Sequence, residues 1–406
     1  MAPSRKKRAA ITLVLFMVFK KRKEYDKVKR NRSIWVKQHL QERHRLGIEE
    51  NLLKDLLTQD GKDFKNFMRM DYETFCMLHI KVSPYIKKQN TYLRSAISSE
   101  LRLAITLRFL ATGDSYRSLE YLTRVSASTI SLFVPQVCEY VYEVLQPQYY
   151  MKFPCTKGEW EKIAKEFENK WNFPYTIGAI DGKHIVIEAP PNAGSYYFNY
   201  KGTHSIVLFA LADANYNFLY IDVGCNGRIS DGGIFKNCTL NQALQEATLN
   251  LPPDKCLPNR IKPVPYVMLG DEAFALSKNL LKPFPRSRPL NAKQKVFNYR
   301  LCRARRVVEN AFGILTSRFR IFRKPICLKV ETIDKIVLIA CVLHNFLKKQ
   351  CQEVTLNYEL EDIPTSMRGI AHQGSNNASE VAHSIRNEFA EYFYNEGQID
   401  FQWTHI

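Results

Sequence analysis

The chain changes character near residue 174, where helical spacing of apolar residues gives way to short apolar runs separated by turn residues. Such runs begin at Tyr175, Ser205 and Phe218, and each is followed by Asp, Gly or Asn. Apolar runs of this length between turn residues predict β-strands. Because the connections are short, the three strands are expected to pair as an antiparallel meander.

A helix and a further strand follow the meander. Ser230 or Asp231 can cap the helix, and the strand covers residues 266–269. Long helical patterns then cover residues 298–318 and 333–348. Three antiparallel strands, a helix, a strand and further helices form the order of an RNase H-like fold. The sequence therefore predicts an α/β domain of this type.

Two acidic residues stand at the ends of predicted strands. Asp181 ends the first strand, and Asp271 follows the fourth strand with Gly270 before it. Sites in α/β sheets lie at the carboxyl ends of strands, so these two carboxylates are expected to be neighbours. Neighbouring carboxylates repel each other unless a divalent cation shares their oxygens. Glu309 lies on the side of the long helix that carries Val308, and this side is expected to face the sheet.

These three acids predict a metal centre that cuts DNA strands. Three carboxylates can hold two Mg²⁺ or Mn²⁺ ions about 4 Å apart and promote in-line displacement at phosphorus. Each acid also has a simpler role open to it. Asp181 can belong to a turn, Asp271 can cap a helix, and Glu309 can form an exposed ion pair with Arg305. Asp231 is a fourth candidate ligand, and its simpler role is the N-cap of its helix.

The charge pattern indicates a polyanionic partner. The chain has 59 Lys and Arg against 40 Asp and Glu, a net charge of +19, and nucleic acid is the commonest partner of such a surplus. Residues 282–324 hold 13 basic residues and a single acid, Glu309. Some of these cations can simply solvate a helix surface. The residues expected to bind DNA phosphates are Arg286, Arg288, Lys293, Lys295, Arg300, Arg303, Arg305 and Arg306.

Residues 25–150 are predicted to be mostly helical, since glycine is rare there and apolar residues recur at helical spacing. A helix ended by Gly113, a short helix and a longer helix over 129–145 form the order of a helix-turn-helix. Ser128 and Thr129, at the start of the longer helix, are the expected DNA contacts. Packing within a helical bundle is the alternative role of this segment.

The chain is predicted to have four parts. They are a basic arm (1–24), a helical domain with the helix-turn-helix (25–150), an RNase H-like nuclease domain (170–350) and an acidic, partly flexible tail (351–406). The arm holds two basic clusters around an apolar run that is too short to cross a bilayer, so no membrane association is expected. Such clusters are typical of a bipartite nuclear import signal, and equally of a solvated basic arm.

Six short motifs occur in the same order as in a known group of enzymes. They are IDGKH (180–184), NYKGTHS (199–205), GRISDG (227–232), LGDEAF (269–274), RRVVENAFG (305–313) and LHNF (343–346). Each motif is weak alone, but the ordered set resembles the PIF/Harbinger transposases and the Harbinger transposase-derived nucleases of animals. Many of those relatives carry a glutamine in the segment that matches 206–209, which here reads IVLF.

The resemblance implies an RNase H-like catalytic domain whose DDE triad maps onto Asp181, Asp271 and Glu309. The acid that matches Asp231 can be a further metal ligand in this family. The implied cofactors are two divalent ions, Mg²⁺ or Mn²⁺. The implied reaction is the excision and insertion of double-stranded DNA that carries terminal inverted repeats, with strand transfer into a target site.

The resemblance also implies partners and a location. A Myb/SANT-like partner protein would assist DNA targeting and entry into the nucleus, with part of the protein in the cytoplasm before import. The working unit is expected to be a homodimer or a higher oligomer. A catalytically silent DNA- or chromatin-binding protein, domesticated from a transposase, is the other class of function. The presence of all three acids favours the enzyme.

Overall fold

The computed structural model describes residues 36–49, 51–59, 61–92, 95–146, 153–287, 289–350 and 378–405. The predicted basic arm with its import signal, and most of the predicted flexible part of the tail, lie outside these residues. Helices dominate as far as residue 171, and a five-stranded sheet covered by further helices follows. The chain is thus a mixed α/β protein, as the sequence predicts. None of the described helices is long and apolar enough to cross a membrane.

The helices that precede the sheet pack around an apolar core. They are α1 (Gln38–Gln41), α2 (Arg43–Leu46), α3 (Leu52–Gln59), α4 (Gly61–Met68), α5 (Tyr72–Ile86), α6 (Ser99–Thr112), α7 (Tyr116–Thr123), α8 (Ala127–Leu145) and α9 (Lys157–Trp171). Helix α6 is buried along most of its length because α5 and α8 both pack on it. Ser126 caps α8, since its side chain accepts a hydrogen bond from the backbone N–H of Thr129. DNA contact by α7 and α8 stays a prediction.

The turn after α6 depends on Gly113. Its φ of 67° lies in the left-handed region, and a Cβ there would lie 2.9 Å from the Cα of Ile321. Because strain and overlap act together, we expect Gly113→Ala to lower the free energy of unfolding by about 1–3 kcal/mol. Melting curves of the two proteins measure this loss.

Gly313→Ala is the matched control for this substitution. Gly313 lies inside a later helix, and a Cβ there meets nothing within 4 Å. The higher helix propensity of alanine should therefore raise the free energy of unfolding by up to about 1 kcal/mol. A loss of similar size at both glycines would contradict the role given to Gly113.

The sheet combines an antiparallel half with a parallel half. The strands are β1 (Thr176–Val186), β2 (Ser205–Ala212), β3 (Phe218–Asn226), β4 (Lys255–Cys256), β5 (Pro263–Val264), β6 (Val267–Leu269) and β7 (Leu280–Leu281). The five-stranded sheet has the order β3-β2-β1-β6-β7, and β4 pairs with β5 separately. The β1–β2 and β2–β3 pairs are antiparallel, whereas β1–β6 and β6–β7 are parallel. The predicted meander is confirmed, and the order is consistent with an RNase H-like domain.

Strand β1 does not end at Asp181, contrary to the prediction from sequence. Its antiparallel pairing with β2 continues from Ala179 to Val186, and Asp181 lies opposite Ala210. Asp181 and Gly182 therefore belong to a strand and not to a turn. The cause is long-range, because β2 supplies backbone partners to the residues that follow Asp181, and local turn propensity does not report this.

Helices cover both faces of the sheet. The helices are α10 (Asp231–Asn237), α11 (Thr239–Gln245), α12 (Ala292–Arg318), α13 (Val330–Gln350) and α14 (Glu380–Tyr394). Alternate residues of β2 enter two different cores: Leu208 packs with α12 and α13, whereas Phe209 packs on the opposite face. All eight residues of β2 are buried for this reason. The single helix predicted after the meander is divided into α10 and α11 at Cys238.

The C-terminal helix α14 packs into the core of the α/β part. It runs from Glu380 to Tyr394, within the tail that is predicted to be partly flexible. Phe389 and Phe393 are fully buried, and their ring centroids lie 5.6 Å and 4.8 Å from that of Phe173. This part of the tail therefore contributes to the fold of the domain.

Arg300 on α12 connects the helix to this C-terminal segment. It is 2% exposed, and its guanidinium donates to the backbone carbonyls of Gly397 and Asn172 and to Gln402 Oε1. The terminal guanidinium nitrogens of Arg300 are therefore bonded within the protein, and its contact with DNA phosphate stays a prediction. The burial of Arg300 depends on partners at residues 397–402, which are distant in sequence.

Candidate active site

The parallel pairing of β1 with β6 brings two acids to one level of the sheet. The last paired residues are Ala179 of β1 and Leu269 of β6. Asp181 and Asp271 each lie two residues beyond that pair. Because side chains alternate along a strand, Asp181 points to the same face as Ala179, which packs in the core shared with α12.

Glu309 on α12 joins this pair of acids. Its side chain is 31% exposed, and its Oε1 accepts a hydrogen bond of 2.5 Å from Arg305 Nη2. The other terminal nitrogen of Arg305 lies 3.9 Å from Asp181 Oδ2. The structure therefore gathers Asp181 and Glu309 around one guanidinium, with Asp271 beside them.

The negative charge of Asp181 is disfavoured where it lies. Burial, together with the charges of Asp271 and Glu309, raises the pKa of Asp181 to about 7, and Arg305 opposes this rise. The side chain is still 19% exposed, so the carboxyl is open to an incoming ligand. A carboxyl that titrates near neutral pH beside other acids is typical of a functional site.

Arg305 lies among Asp181, Asp271 and Glu309, which together form the acidic group. Its side chain is 5% exposed and lies on the helix face that buries Val308. Burial alone would lower the pKa of Arg305, but the charges of Asp181, Glu309 and Asp271 raise it above its ordinary value. The predicted pair with Glu309 exists, but Arg305 is buried. The guanidinium is shielded from solvent and bonded to a carboxylate, and its contact with DNA phosphate stays a prediction.

Asp231 is the fourth acid and lies beside Gly182. Ser230, and not Asp231, accepts the capping hydrogen bond of α10. The carboxyl of Asp231 packs against the backbone of β1, where a Cβ on Gly182 would overlap it. Asp231 Oδ1 is buried and has no hydrogen-bond partner. Burial, followed by the charges of Asp181 and Asp271, raises the pKa of Asp231 to about 8.

This raised pKa predicts a pH-dependent stability. In the unfolded chain Asp231 ionises near its ordinary value of 3.8, whereas in the folded protein it ionises near 8. The folded state holds the extra proton between these values, so the free energy of unfolding falls as the pH rises through this window. We expect Asp231→Asn to raise the stability of the metal-free protein by about 1–3 kcal/mol above pH 8.

Melting curves of both proteins in chelator, from pH 4 to pH 9, measure this effect. The two proteins should differ little at pH 4, where Asp231 is protonated in the folded state. A difference that stays constant over the whole range would show that the change does not arise from ionisation of Asp231.

The donor chemistry of the four acids fits a hard divalent cation. Each offers carboxylate oxygens, which Mg²⁺ and Mn²⁺ prefer as ligands, and Asp231 Oδ1 is without a partner. Asp271 does not cap a helix; its Oδ1 accepts a hydrogen bond of 2.9 Å from the backbone N–H of Ala273. Within the described residues, no three His, Cys, Asp or Glu side chains stand together as a ready metal-binding group. The guanidinium of Arg305 lies between two of the acids and supplies the positive charge there.

The other predicted DNA-binding cations divide into exposed and engaged residues. Arg286, Lys295 and Arg306 are exposed. Lys293 pairs with Glu391 at 2.6 Å. Arg288 lies outside the described residues. The exposed cations are accessible to a phosphate.

Arg303 and the start of α8 differ from the prediction in detail. Arg303 donates hydrogen bonds to the backbone carbonyl of Trp171 and to Asn172 Oδ1. Ser128 is exposed, whereas the hydroxyl of Thr129 lies 2.7 Å from that of the capping residue Ser126. Arg303 and Thr129 are therefore held by the protein itself, and Ser128, whose hydroxyl lies 3.2 Å from that of Ser126, is exposed.

Lysines beside the acids were not foreseen from the sequence. Burial lowers the pKa of Lys183, against the charge of Asp181. Lys201, in the loop between β1 and β2, lies near enough for its charge to oppose the rise in the pKa of Asp231. Lys183 was predictable, because it is the second residue after Asp181 and the strand places both on one face. Lys201 was not, since its position depends on how the loop folds.

Two histidines near the centre are packed residues. His184 Nδ1 lies 2.8 Å from Ser205 Oγ, and burial, with the charges of Lys201 and Lys183, lowers its pKa to about 4. His344 is fully buried, and its Nε2 lies 2.8 Å from the carbonyl oxygen of Tyr216. Neither histidine carries charge at neutral pH.

The fold and the acidic group agree with what the chain resembles. Residues 180–345 match the family described as DDE superfamily endonucleases. This stretch of the α/β part therefore matches a DDE superfamily endonuclease domain. The match begins one residue before Asp181 and includes the other three acids.

Its relatives include proteins of animals and plants. Rat HARBI1, which carries a provisional nuclease name, is 26% identical over 257 residues, or 62% of this chain and 67% of the rat protein. An ALP1-like protein of Arabidopsis thaliana is 25% identical over 296 residues, or 71% of each chain. A second Arabidopsis protein, named antagonist of like heterochromatin protein 1, is 27% identical over 272 residues, or 66% of each. Comparison with solved structures gives no significant match.

Proposed function

We propose that this chain is a divalent-metal-dependent DNA endonuclease of the transposase type, with Asp181, Asp271 and Glu309 as its catalytic acids. The observation that carries the proposal is the register of β1 against β6. It sets Asp181 and Asp271 side by side on the edge of a DDE endonuclease domain, with Glu309 on the helix that covers them. The three carboxylates lie on separate elements: Asp181 on β1, Asp271 just after β6 and Glu309 on α12. Separate, regular supports of this kind favour a rigid site.

The residues that would hold the metal are Asp181, Asp231, Asp271 and Glu309. When bound, divalent ions activate the attacking water or 3′-hydroxyl and stabilise the leaving oxygen of the phosphodiester. The chain itself supplies the oxygens: Asp231 offers a buried Oδ1 that lacks a partner, and Asp181 offers a carboxyl open to solvent. Glu309 would add its carboxylate, which Arg305 holds in this structure.

Exposed cations would position the DNA. Arg286, Lys295 and Arg306 are exposed on α12 and on the loop before it. Contacts of this kind fix the register of a duplex on the protein without reading its sequence. They would present the scissile phosphate to the acids. The exposed Ser128 at the start of α8 offers a second DNA contact, in the proposed helix-turn-helix of residues 116–145.

The same proposal extends to the biological reaction. The substrate would be double-stranded DNA with terminal inverted repeats, and strand transfer would follow cleavage through the freed 3′-hydroxyl. We propose a homodimer or a higher oligomer that works in the nucleus with a Myb/SANT-like partner. The net charge of +19 supports a nucleic-acid substrate.

A catalytically silent chromatin protein is the second candidate. One observation favours it: Arg305 already supplies a positive charge between Asp181 and Glu309. The name of one Arabidopsis relative also refers to heterochromatin. All four acids are nevertheless present. Burial disfavours the charged forms of Asp181 and Asp231, and a protein without catalysis has no need to retain two such carboxyls.

DNA cleavage decides between the two candidates. The full chain is incubated with DNA that carries candidate terminal repeats, with and without the partner protein, in Mg²⁺, Mn²⁺ or chelator. We expect cutting that leaves 3′-hydroxyl ends, needs the metal and is lost in Asp181→Ala, Asp271→Ala and Glu309→Ala. Cutting that is unchanged in all three variants, or tight DNA binding without any cutting, would overturn the nuclease.

A further inference from the structure

A loop beside the acids exposes three aromatic side chains at alternate positions. Tyr196, Phe198 and Tyr200 lie between β1 and β2 and are 57%, 47% and 66% exposed. They alternate with Tyr197, which is partly buried, and Asn199, which is 3% exposed. Exposed rings grouped in this way are costly in water and usually mark a binding surface.

The loop is held in shape by its own hydrogen bonds. Asn199 Oδ1 accepts from the backbone N–H groups of Lys201 and Thr203, and its Nδ2 donates to Ser205 Oγ at 2.8 Å. The backbone N–H of Phe198 bonds within the loop, and an isolated bridge joins Phe198 to His204. The rings are therefore presented by a fixed scaffold, which lowers the entropy cost of binding.

The loop adjoins the acidic group. The ring of Tyr200 lies 5.5 Å from that of His184, which is on the same face of β1 as Gly182, where the carboxyl of Asp231 packs. The backbone N–H of Gly227 donates to the carbonyl of Ser205 at 2.8 Å, so the loop is tied to the turn that leads to Asp231. The aromatic rings thus border the site from the side of β2 and β3.

The charge around the rings is positive. The ammonium of Lys201 lies 5.3 Å from the centroid of the Tyr200 ring, and Arg228 is exposed in the turn that precedes Asp231. Aromatic faces interleaved with cations are the surface that binds unpaired nucleotides, because every base offers a π-face and every phosphate a negative charge. Paired bases inside a duplex do not expose those faces.

We propose that Tyr196, Phe198 and Tyr200 form a stacking platform for unpaired bases of the DNA strand next to the cutting site. This inference rests on the proposed nuclease function and names the part of its substrate that the loop contacts. The bases that flank the cut leave the duplex and stack on the rings, while Lys201 and Arg228 hold the phosphates between them.

Binding of two DNA probes by the full chain tests the platform. One probe is a blunt duplex, and the other is the same duplex with an unpaired end that carries a fluorescent adenine analogue. Without divalent metal, we expect the unpaired end to bind about 10-fold more tightly and its fluorescence to be quenched by stacking. The preference should persist as salt is raised, whereas the affinity for both probes should fall.

Matched variants assign the preference to the rings. Tyr200→Ala and Phe198→Ala should remove most of the preference and the quenching, and Tyr200→Trp should keep both. Tyr92→Ala is the control, because Tyr92 is fully exposed but lies in the helical region. A preference that survives both alanine variants, or that the wild type lacks, would overturn the platform.

The outcome also separates this inference from the nuclease. Metal-dependent cutting by a wild type that shows no preference for the unpaired end would leave the nuclease standing and remove the platform. Absence of both cutting and DNA binding would remove both. Alanine variants that bind both probes as the wild type does, but no longer bind a protein that the wild type binds, would assign the rings to a protein interface. That result would overturn the stacking role.

Discussion

Asp181→Asn is expected to reduce metal-dependent DNA cutting by at least about 1,000-fold while the metal-free protein becomes more stable. The amide keeps the shape of the side chain but loses the charge that a divalent ion requires. The gain in stability has a separate cause. Asp181 is buried beside Asp271 and Glu309, and these surroundings raise its pKa to about 7.

The sign of the stability change follows from that raised pKa. In the unfolded chain Asp181 ionises near 3.8, so above that pH the unfolded state gains a charge that the folded state resists until about pH 7. At pH 8 the ionisation of Asp181 therefore disfavours the folded state. Asn removes this effect and should raise the free energy of unfolding by about 1–3 kcal/mol, measured from melting curves in chelator. A functional residue that costs stability is the usual signature of an active site.

Asp222→Asn is the matched control for this prediction. Asp222 is a partly buried aspartate on β3 whose pKa is also raised, by burial alone, and it lies outside the acidic group. Its replacement should affect stability in the same direction but leave cutting unchanged. Loss of cutting in both variants, in parallel with a loss of folded protein, would mean that Asp181 has only a structural role.

The acidic group was predictable because its members follow local rules. Apolar runs that end near Asp181 and Asp271, and a helix with Glu309 on its apolar side, suffice to predict that the three acids meet. The place of Arg305 could also have been inferred. It precedes Val308 by three residues, so helical spacing sets it on the buried face, where a charge needs a partner such as Glu309.

Other features depend on partners that are distant in sequence. Strand β1 continues past Asp181 because β2 pairs with it, and Arg300 is buried because residues 397–402 accept its hydrogen bonds. Helix α14 lies in an acidic tail, yet Phe389 and Phe393 find aromatic partners more than two hundred residues earlier in the chain. Composition predicts a solvated tail there, and only the assembled core shows otherwise.

Arg305→Gln is expected to make the folded protein dependent on a divalent metal. The substitution removes the guanidinium that lies between Asp181 and Glu309. Without a metal ion, two like charges then remain partly buried. Removing one partner of a buried ion pair costs about 3–5 kcal/mol, so the melting temperature in chelator should fall strongly at pH 8. The fall should be smaller at pH 5, where Asp181 is protonated.

Metal should reverse this loss. Saturating Mg²⁺ or Mn²⁺ supplies the missing positive charge and does not have to displace Arg305 first, so calorimetry should show tighter metal binding by Arg305→Gln than by the wild type. Stabilisation by metal should then be larger in the variant, since ligand binding stabilises the folded state according to its affinity. Arg306→Gln is the control, because Arg306 is the next residue on α12 but is exposed. Equal stabilisation of the wild type and both variants by metal would show that Arg305 and the divalent ion do not share the carboxylates.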